Sequence, residues 1–186
     1  MNKEKDKKQS IIYLIDSSAL LSGKPFPLDE EECWTVEEIA NEFSPGGASF
    51  RNFVYLQEKG LRIHQPSEQA KKKVALVIEK MGEKNRLSIA DQAILALAVD
   101  VKDNVQKQAV ILTDDYSIQN IARVLQIKVQ GISKRGITKT FKWRQRCRGC
   151  GRLLSQDEST CRICGSDACY VVDTSQPKPK NNGDPE

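Results

Sequence analysis

The sequence contains no long hydrophobic run and no glycine-rich loop of the kind that binds nucleotides. No apolar stretch approaches the roughly 20 residues of a membrane-spanning helix. No signal-peptide pattern precedes Ile11, so we expect a cytoplasmic protein without a membrane partner. The absence of GxGxxG and Walker-lysine patterns disfavours dinucleotide-binding and P-loop enzymes. The stretch 16–18, Asp-Ser-Ser, also lacks the second aspartate expected of haloacid-dehalogenase phosphatases.

The sequence also has little excess of charge of either sign, since the formal net charge is +4 over 186 residues. A charge of this size is weak support for a nucleic-acid partner, but its distribution along the chain is uneven. Between Lys134 and Arg152 the chain carries eight basic residues and no acidic residue. This density predicts a phosphate-binding surface in that part of the chain.

The strongest strand pattern is the apolar run from Ile11 to Ile15, which ends abruptly at Asp16. A run without polar alternation is typical of a strand that is covered on both faces, as in a parallel sheet. A second such run, 109–113, ends at Asp114 and Asp115. Helical patterns lie between the strand-like segments, so we predict an α/β fold with a central parallel sheet flanked by helices.

The chain length allows one ordinary domain and a smaller one. Composition divides the chain into a flexible charged leader (1–10), an α/β domain (11–132), a basic linker (133–143), a cysteine module (144–173) and a disordered tail (174–186). Within the α/β domain, apolar residues at helical spacing predict an amphipathic helix over 35–43. Further helices are predicted over 51–59, 66–81, 88–101 and 118–125, and strands over 61–64 and 128–132.

Acidic residues occur where such a sheet could gather them. Asp16 and the Asp114-Asp115 pair follow strands, and Glu38 and Asp91 lie in the first turns of helices. Clustered carboxylates require a compensating charge, and oxygen ligands favour Mg²⁺ or Mn²⁺. The alternative is helix capping, because 35–38 and 88–91 both resemble capping boxes and Asp114 could cap the helix that follows it. The spacing alone leaves both interpretations open.

The cysteines give a clearer pattern. Cys147 and Cys150, followed by Cys161 and Cys164, form two CxxCG pairs with a short segment between them. Two such pairs predict a closed tetrahedral Zn²⁺ site with a structural role, and disulfides are the less favoured alternative. Basic and aromatic residues around the pairs predict an RNA-binding surface, with a solvated basic face as the alternative. Those residues are Lys142, Trp143, Arg144, Arg146, Arg148, Arg152 and Arg162.

Four stretches resemble, in order, the signatures of PIN-domain nucleases: 14–19, 36–39, 87–91 and 112–115. More narrowly, the chain resembles the Nob1 family of small-subunit rRNA 3′-end endonucleases over about 11–172. The stretch 113–120, Thr-Asp-Asp-Tyr-Ser-Ile-Gln-Asn, and the zinc ribbon that follows it are the specific features. The short chain without long insertions favours an archaeal member. One departure is 81–84, Met-Gly-Glu-Lys, where the family pattern has Thr-Gly-Asp.

The resemblance implies a catalytic set of Asp16, Glu38, Asp91, Asp114 and Asp115. Asp16, Glu38, Asp91 and Asp115 would bind Mg²⁺ or Mn²⁺, and Asp114 is the alternative to Asp115. Ser17 and Thr113 would donate hydrogen bonds to these ligands. Glu42, one turn after Glu38, is an outside candidate that is better explained as part of a solvated helix face.

The resemblance also implies the reaction and the partners. We expect hydrolysis of a phosphodiester in precursor small-subunit rRNA to generate its mature 3′ end, with the ribbon docking on rRNA in a pre-ribosomal particle. A KH-domain assembly factor is the implied protein partner. The alternatives are a non-catalytic RNA-binding assembly factor, in which the acids are helix caps, and a toxin-type PIN ribonuclease.

Overall fold

The computed structural model describes residues 10–22, 31–105, 107–132, 142–155 and 157–172. These residues form two compact units, with the division at residues 140 and 141. The predicted tail, all but one residue of the predicted leader and most of the predicted basic linker lie outside the described residues.

The first unit contains a five-stranded sheet with β1 (Ile11–Ile15) at its centre. Its neighbours are β2 (Glu32–Thr35) and β4 (Gln108–Leu112), and β3 (Arg62–Ile63) and β5 (Lys128–Gln130) form the edges. All four strand pairs are parallel, which confirms the predicted α/β fold. The strand order 3-2-1-4-5 reverses its direction of winding between β1 and β4. In open parallel sheets, ligands bind at the carboxyl ends of the strands at such a reversal.

The sheet is covered by helices with a common apolar core. The most buried helix, α5, contributes nine core residues, contacts β1 and β4, and also packs against α2 and α4. None of the described helices is both long enough and apolar enough to span a membrane. The helices of this unit are α1 (Ser17–Leu21), α2 (Glu37–Ala40), α3 (Ala48–Glu58), α4 (Glu68–Met81), α5 (Ile89–Asn104) and α6 (Tyr116–Val124).

The predicted helix over 35–43 is wrong at both ends, because the helix observed there is Glu37–Ala40. Thr35 is the last residue of β2, and its hydroxyl donates a 2.9 Å hydrogen bond to the carbonyl of Ile15. The helix α2 spans only four residues and begins after Val36, which has no side chain able to cap it. The strand is short and half-buried, without the long apolar run that identifies β1, and its Thr35 can be mistaken for a helix cap.

The second unit is a small antiparallel sheet with the order β7-β6-β8. Its strands are β6 (Trp143–Cys147), β7 (Leu153–Leu154) and β8 (Ala168–Val172). The buried hydrophobic cluster of its described residues consists of Cys147, Leu154 and Cys161, with Ala168 packed against it. The two cysteine pairs therefore lie on and beside this sheet, as expected of a zinc ribbon.

Candidate active site and metal centre

Asp16 lies at the carboxyl end of β1, beside the end of β4, where the winding of the sheet reverses. Its side chain is only 2% exposed. The Ser18 hydroxyl and the Thr113 hydroxyl each donate a 2.7 Å hydrogen bond to Asp16 Oδ2. Asp16 precedes α1, but its carboxylate makes no capping hydrogen bond to that helix. Local helix capping therefore does not explain this carboxylate.

The Ser18 and Thr113 hydroxyls tie the ends of β1 and β4 together. They lie 3.4 Å apart, and each also accepts a backbone hydrogen bond, Ser18 from Asp114 and Thr113 from Asp115. The sequence interpretation assigned the hydrogen-bonding role to Ser17 and Thr113. The structure places the Thr113 and Ser18 hydroxyls on Asp16, whereas Ser17 hydrogen-bonds to Glu42. The sequence Asp-Ser-Ser does not indicate which serine turns back towards the carboxylate.

The two acids that follow β4 have different environments. Asp115 is exposed and is the N-cap of α6, where it accepts a 2.6 Å hydrogen bond from the Ser117 amide. Asp114 Oδ1 accepts a 2.8 Å hydrogen bond from the Ile132 amide. The expectation that Asp114 might cap this helix is therefore wrong, because the cap is Asp115.

Asp91 has two roles that the sequence presented as alternatives. It forms the predicted capping box with Ser88: the Ser88 amide donates to Asp91 Oδ2 at 2.7 Å, and the Asp91 amide donates to the Ser88 hydroxyl at 3.1 Å. Burial raises the pKa of Asp91, the hydrogen bonds from Ser88 oppose this, and the negative charges of Asp16 and Asp115 raise the pKa further. Asp91 is thus both a cap and a member of the acidic cluster.

Glu42 belongs to the same electrostatic neighbourhood. It lies in the turn after α2, outside the helix that was predicted for it. Burial raises the pKa of its carboxyl group, hydrogen bonding to Ser17 lowers it, and the charges of Asp16 and Asp91 raise it. Glu42 is exposed, as its interpretation as a solvated residue expects, but helical spacing alone does not show that its charge lies near those of Asp16 and Asp91.

Glu38 lies beside this cluster, on α2. It caps no helix, and its Oε2 atom is buried without a hydrogen-bond partner among the described residues. The carboxylate lines a surface cavity of about 340 Å³ whose other residues come from α4 and α5. Those residues are Lys71, Lys72, Ala75, Ile89, Gln92 and Ala93.

These acids fit a hard divalent cation. All of their donor atoms are oxygens, which such ions prefer. Glu38 Oε2 has no hydrogen-bond partner among the described residues. Both hydroxyl hydrogen bonds to Asp16 go to Oδ2, and neither goes to Oδ1. Among the described residues, no three carboxylates bring ligand oxygens within 4.8 Å of one another. The structure therefore does not gather three of the predicted ligands around one point. An ion such as Mg²⁺, which keeps several waters, would be held directly by at most two of these carboxylates and by the others through water.

The four predicted zinc ligands form a compact metal-binding group. Their sulfur atoms all lie within 4.8 Å of one another, with Cys147 and Cys164 at 3.3 Å and Cys150 and Cys161 at 3.7 Å. Four sulfurs at 2.3 Å from one tetrahedral ion are about 3.8 Å apart. The pKa of Cys164 is lowered to about 6, mainly by hydrogen bonds from the Ser166 hydroxyl and amide. The lower pKa favours the thiolate, the form that binds a metal ion.

Glycines shape the two cysteine turns. Gly151 and Gly165 follow the second cysteine of each pair with φ angles of +71° and +68°, a left-handed conformation that glycine adopts readily. At Gly149 a side chain would meet the opposite turn, because an added Cβ atom would lie 2.5 Å from Ser166 Oγ and 3.2 Å from Cys164 Sγ. The glycines therefore permit the close approach of the two pairs.

The predicted RNA-binding residues are not equally available. Along β6, exposed Arg146 alternates with buried Gln145 and Cys147. Arg162 and Arg152 share one acid, with distances of 2.9 Å and 3.9 Å to Glu158 Oε1, so part of their charge is neutralised. Lys142, Trp143 and Arg144 are half-buried, and Arg148 is exposed.

Comparisons with known proteins cover both units. A family model described as the PIN domain of ribonuclease matches residues 13–101. The Endoribonuclease Nob1 of Archaeoglobus fulgidus is 33% identical over 174 residues, which span 92% of this chain and 97% of that protein. The chain belongs to the Nob1 family of endoribonucleases. The PIN domain is a metal-dependent nuclease fold, so this family membership assigns the chain to the divalent-metal-dependent endoribonucleases.

A second Nob1 relative supports the family assignment, and a ribonuclease with a different name supports the broader assignment to the ribonucleases. The Endoribonuclease Nob1 of Methanocaldococcus jannaschii is 34% identical over 157 residues, covering 83% of this Nob1-family chain and 75% of that protein. The Ribonuclease VapC1 of Thermoplasma acidophilum is 32% identical over 155 residues, with the same shares covered. Because the Archaeoglobus match spans 92% of the chain, it includes residues of both the acidic cluster and the cysteine unit.

Proposed function

We propose that this protein hydrolyses a phosphodiester in precursor small-subunit rRNA and thereby generates the mature 3′ end. The observation that carries the proposal is the Asp16 carboxylate, buried where the winding of the sheet reverses and held there by hydroxyls from two strand ends. The alignment with archaeal Endoribonuclease Nob1 proteins, which is near-complete for the Archaeoglobus protein, supports RNA as the substrate.

Asp16, Glu38 and Asp91 would hold Mg²⁺ or Mn²⁺, together with Asp115 or Asp114. When bound, such an ion supplies activation of a water and neutralisation of charge on the leaving oxygen. Ser18 and Thr113 fix the orientation of the Asp16 carboxylate through their hydrogen bonds to Oδ2. Glu42 adds negative charge next to Asp16 and Asp91, and this charge strengthens the demand for a cation.

The second unit would position the RNA. In this proposal the cysteine cluster binds Zn²⁺, and the basic residues around β6 contact rRNA within a pre-ribosomal particle. Within the described residues of the second unit, Arg146 and Arg148 are the exposed arginines for which the structure records no acidic partner. Thiolates that bind zinc require a reducing compartment, which supports a cytoplasmic location. A KH-domain assembly factor is the protein partner that completes this proposal.

The test is cleavage of a labelled RNA that spans the 3′ end of small-subunit rRNA. Zinc-loaded wild-type protein is compared with the Asp16→Asn variant, with no added divalent ion and with Mg²⁺ or Mn²⁺ added back. We expect one metal-dependent cut that the variant makes at least about a hundredfold more slowly, the scale typical of losing one preorganised electrostatic group. The control is Asp103→Asn, which changes an acid that pairs with Lys73 at 2.7 Å.

The competing candidate is a non-catalytic RNA-binding assembly factor. The caps formed by Asp91 and Asp115 are the observations that favour it. It predicts tight binding of the RNA and no metal-dependent cut, either on free RNA or on RNA within a pre-ribosomal particle. Equal cutting by the wild type and by Asp16→Asn would contradict our proposal.

A further inference from the structure

The cavity beside Glu38 has a charged rim and an apolar wall. Lys71 and Lys72 come from α4, whereas Ile89, Gln92 and Ala93 come from the first turns of α5. Its volume of about 340 Å³ is in the range of sites that bind small groups. Three consecutive lysines, 71–73, are equivalent in the sequence pattern, and the structure separates the two that line the cavity from Lys73.

The three lysines differ in what surrounds them. Lys73 pairs with Asp103 at 2.7 Å and does not line the cavity. Lys71 pairs with exposed Glu68 at 2.8 Å, a contact on the surface that solvent screens. Lys71 also lies close enough to Glu38 for the charge of that carboxylate to raise the lysine pKa, after the larger effect of Glu68. A phosphate could therefore replace weak partners of Lys71 at little cost.

The apolar wall is unusually exposed. Ile89 is the first residue of α5 and is 77% exposed, the highest value among the large hydrophobic side chains of the described residues. It lies next to Ala93 and, across the cavity, Ala75 of α4. Sites for single-stranded RNA combine cationic side chains that contact phosphates with a surface on which bases pack, most often an aromatic ring. Here the packing surface is aliphatic and is supplied by Ile89 beside the two lysines.

We propose that this cavity holds the nucleotide next to the scissile phosphodiester, with Lys71 and Lys72 binding its backbone phosphates and Ile89 contacting its base or ribose. The inference rests on the proposed nuclease function, because it gives the RNA strand a path past Glu38 to Asp16. Lys71, Lys72 and Ile89 are then positioning residues, which bind the substrate and take no part in the chemistry.

The test is the salt dependence of RNA binding by the full-length, zinc-loaded protein without added Mg²⁺ or Mn²⁺. A short, fluorescently labelled single-stranded RNA is titrated at several salt concentrations. For single strands, each phosphate contact contributes about 0.7 to the slope of log K against log salt. The double variant Lys71→Gln/Lys72→Gln should therefore lower the slope by about 1.4, equivalent to about 25-fold weaker binding at 0.1 M salt. Ile89→Ala should also weaken RNA binding, but by a factor that does not change with salt concentration, because the lost contact is apolar.

The matched control is Lys73→Gln/Lys80→Gln, which removes the same charge from the same helix outside the cavity. We expect its slope to equal that of the wild type. Cleavage kinetics give a second measurement, in which the cavity variant should raise KM and leave kcat nearly unchanged. An unchanged slope in the cavity variant, or an equal decrease in the control, would overturn the inference.

The two proposals can fail separately. If Asp16→Asn cuts RNA as well as the wild type while the cavity variant lowers the slope, the cavity is an RNA-binding site and the proposed active site is wrong. If Asp16→Asn abolishes a metal-dependent cut while the slope is unchanged, the nuclease proposal stands and the RNA follows another path.

Discussion

At the scale of the residue, Asp16 shows how a buried carboxylate is tolerated near other acids. Removing a charge from water is costly unless hydrogen bonds replace the lost solvation. Two hydroxyl donors supply such bonds to Oδ2, and Ser18 and Thr113 are themselves fixed by contacts with the backbone of Asp114 and Asp115. The two hydroxyls therefore fix the orientation of the Asp16 carboxylate.

Substitution of Ser18 by alanine should destabilise the first unit. The change removes one donor to Asp16 and leaves the Asp114 amide without its hydroxyl acceptor, so we expect the free energy of unfolding to fall by about 1–2 kcal/mol. Ser17→Ala is the matched comparison and should cost less, below about 1 kcal/mol, because the Ser17 hydroxyl bonds to the exposed Glu42 and not to buried Asp16. Urea denaturation of both variants checks this prediction. Equal effects would mean that the adjacent serines are equivalent.

The raised pKa values of Asp91 and Glu42 predict a pH dependence of stability in the metal-free protein. Just above the ordinary carboxyl pKa of about 4, the folded chain retains protons that the unfolded chain has lost. The free energy of unfolding should therefore fall as the pH rises through the window between the ordinary and the raised pKa values. Below that window both states are protonated and this penalty is absent.

Asp91→Asn isolates one part of this dependence, because the asparagine oxygen can still accept the hydrogen bond from the Ser88 amide. Relative to the wild type, the variant should become more stable as the pH rises from about 4 towards neutrality. Chemical denaturation across that range measures the difference between the two chains. A constant difference would show that the negative charge of Asp91 carries no cost in the folded protein.

The sequence predicted the position of Asp16 correctly, at the end of a central strand. Asp16 follows an unmistakable apolar strand, and the structure places it beside the end of β4. The choice between Ser17 and Ser18, and the position of Glu42 beside Asp16 and Asp91, depend on backbone directions in the turns after Asp16 and Ala40. Periodicity carries no information about those directions.

At the scale of the element, α6 depends on the acid that begins it. An N-cap residue supplies an acceptor for amides that have no partner within the helix, and Asp115 does so for Ser117. The same residue is the favoured metal ligand of the pair that follows β4. Its structural and catalytic contributions can be separated because capping requires an oxygen acceptor, whereas metal binding gains most from a carboxylate.

Asp115→Ala should lower the free energy of unfolding by about 1 kcal/mol through loss of the cap, and Asp115→Asn should preserve most of it. If Asp115 also binds the catalytic ion, both variants should lose metal-dependent cleavage, whereas only the alanine variant should lose stability. Thermal unfolding and cleavage rates of the two proteins test this. Full activity of Asp115→Asn would transfer the proposed role to Asp114.

Prediction of elements failed where tertiary contacts override local pattern. The strand β2 has no long apolar run, and parallel pairing with β1 and β3 holds it in the sheet. The departure at 81–84 has a structural explanation. Glu83 is 1% exposed, pairs with Arg86 at 3.0 Å and accepts a 2.9 Å hydrogen bond from Asn120 of α6. A buried acid at this position anchors the loop before α5.

At the scale of the whole molecule, the two units differ in what stabilises them. The first has a broad apolar core that includes β1, β4, α5 and α6. The second buries a cluster of only Cys147, Leu154 and Cys161 among its described residues. A module with so little apolar burial usually needs a metal or disulfides to fold, and none of the four clustered cysteines forms a disulfide. The bound ion should therefore supply most of its folding free energy.

The two tryptophans allow this difference to be measured, because Trp34 belongs to the first unit and Trp143 to the second. In a Trp34→Phe chain, fluorescence reports on the second unit alone, while far-UV circular dichroism reports mainly on the helices, which the described residues place in the first. We expect a zinc chelator to abolish the folded fluorescence signal of Trp143 and leave the helical signal, and added Zn²⁺ to restore the fluorescence. Gly149→Ala should shift this transition to lower chelator concentration, because its Cβ would press on Ser166 and Cys164. Loss of both signals together would show that the ion stabilises the whole chain and not the second unit alone.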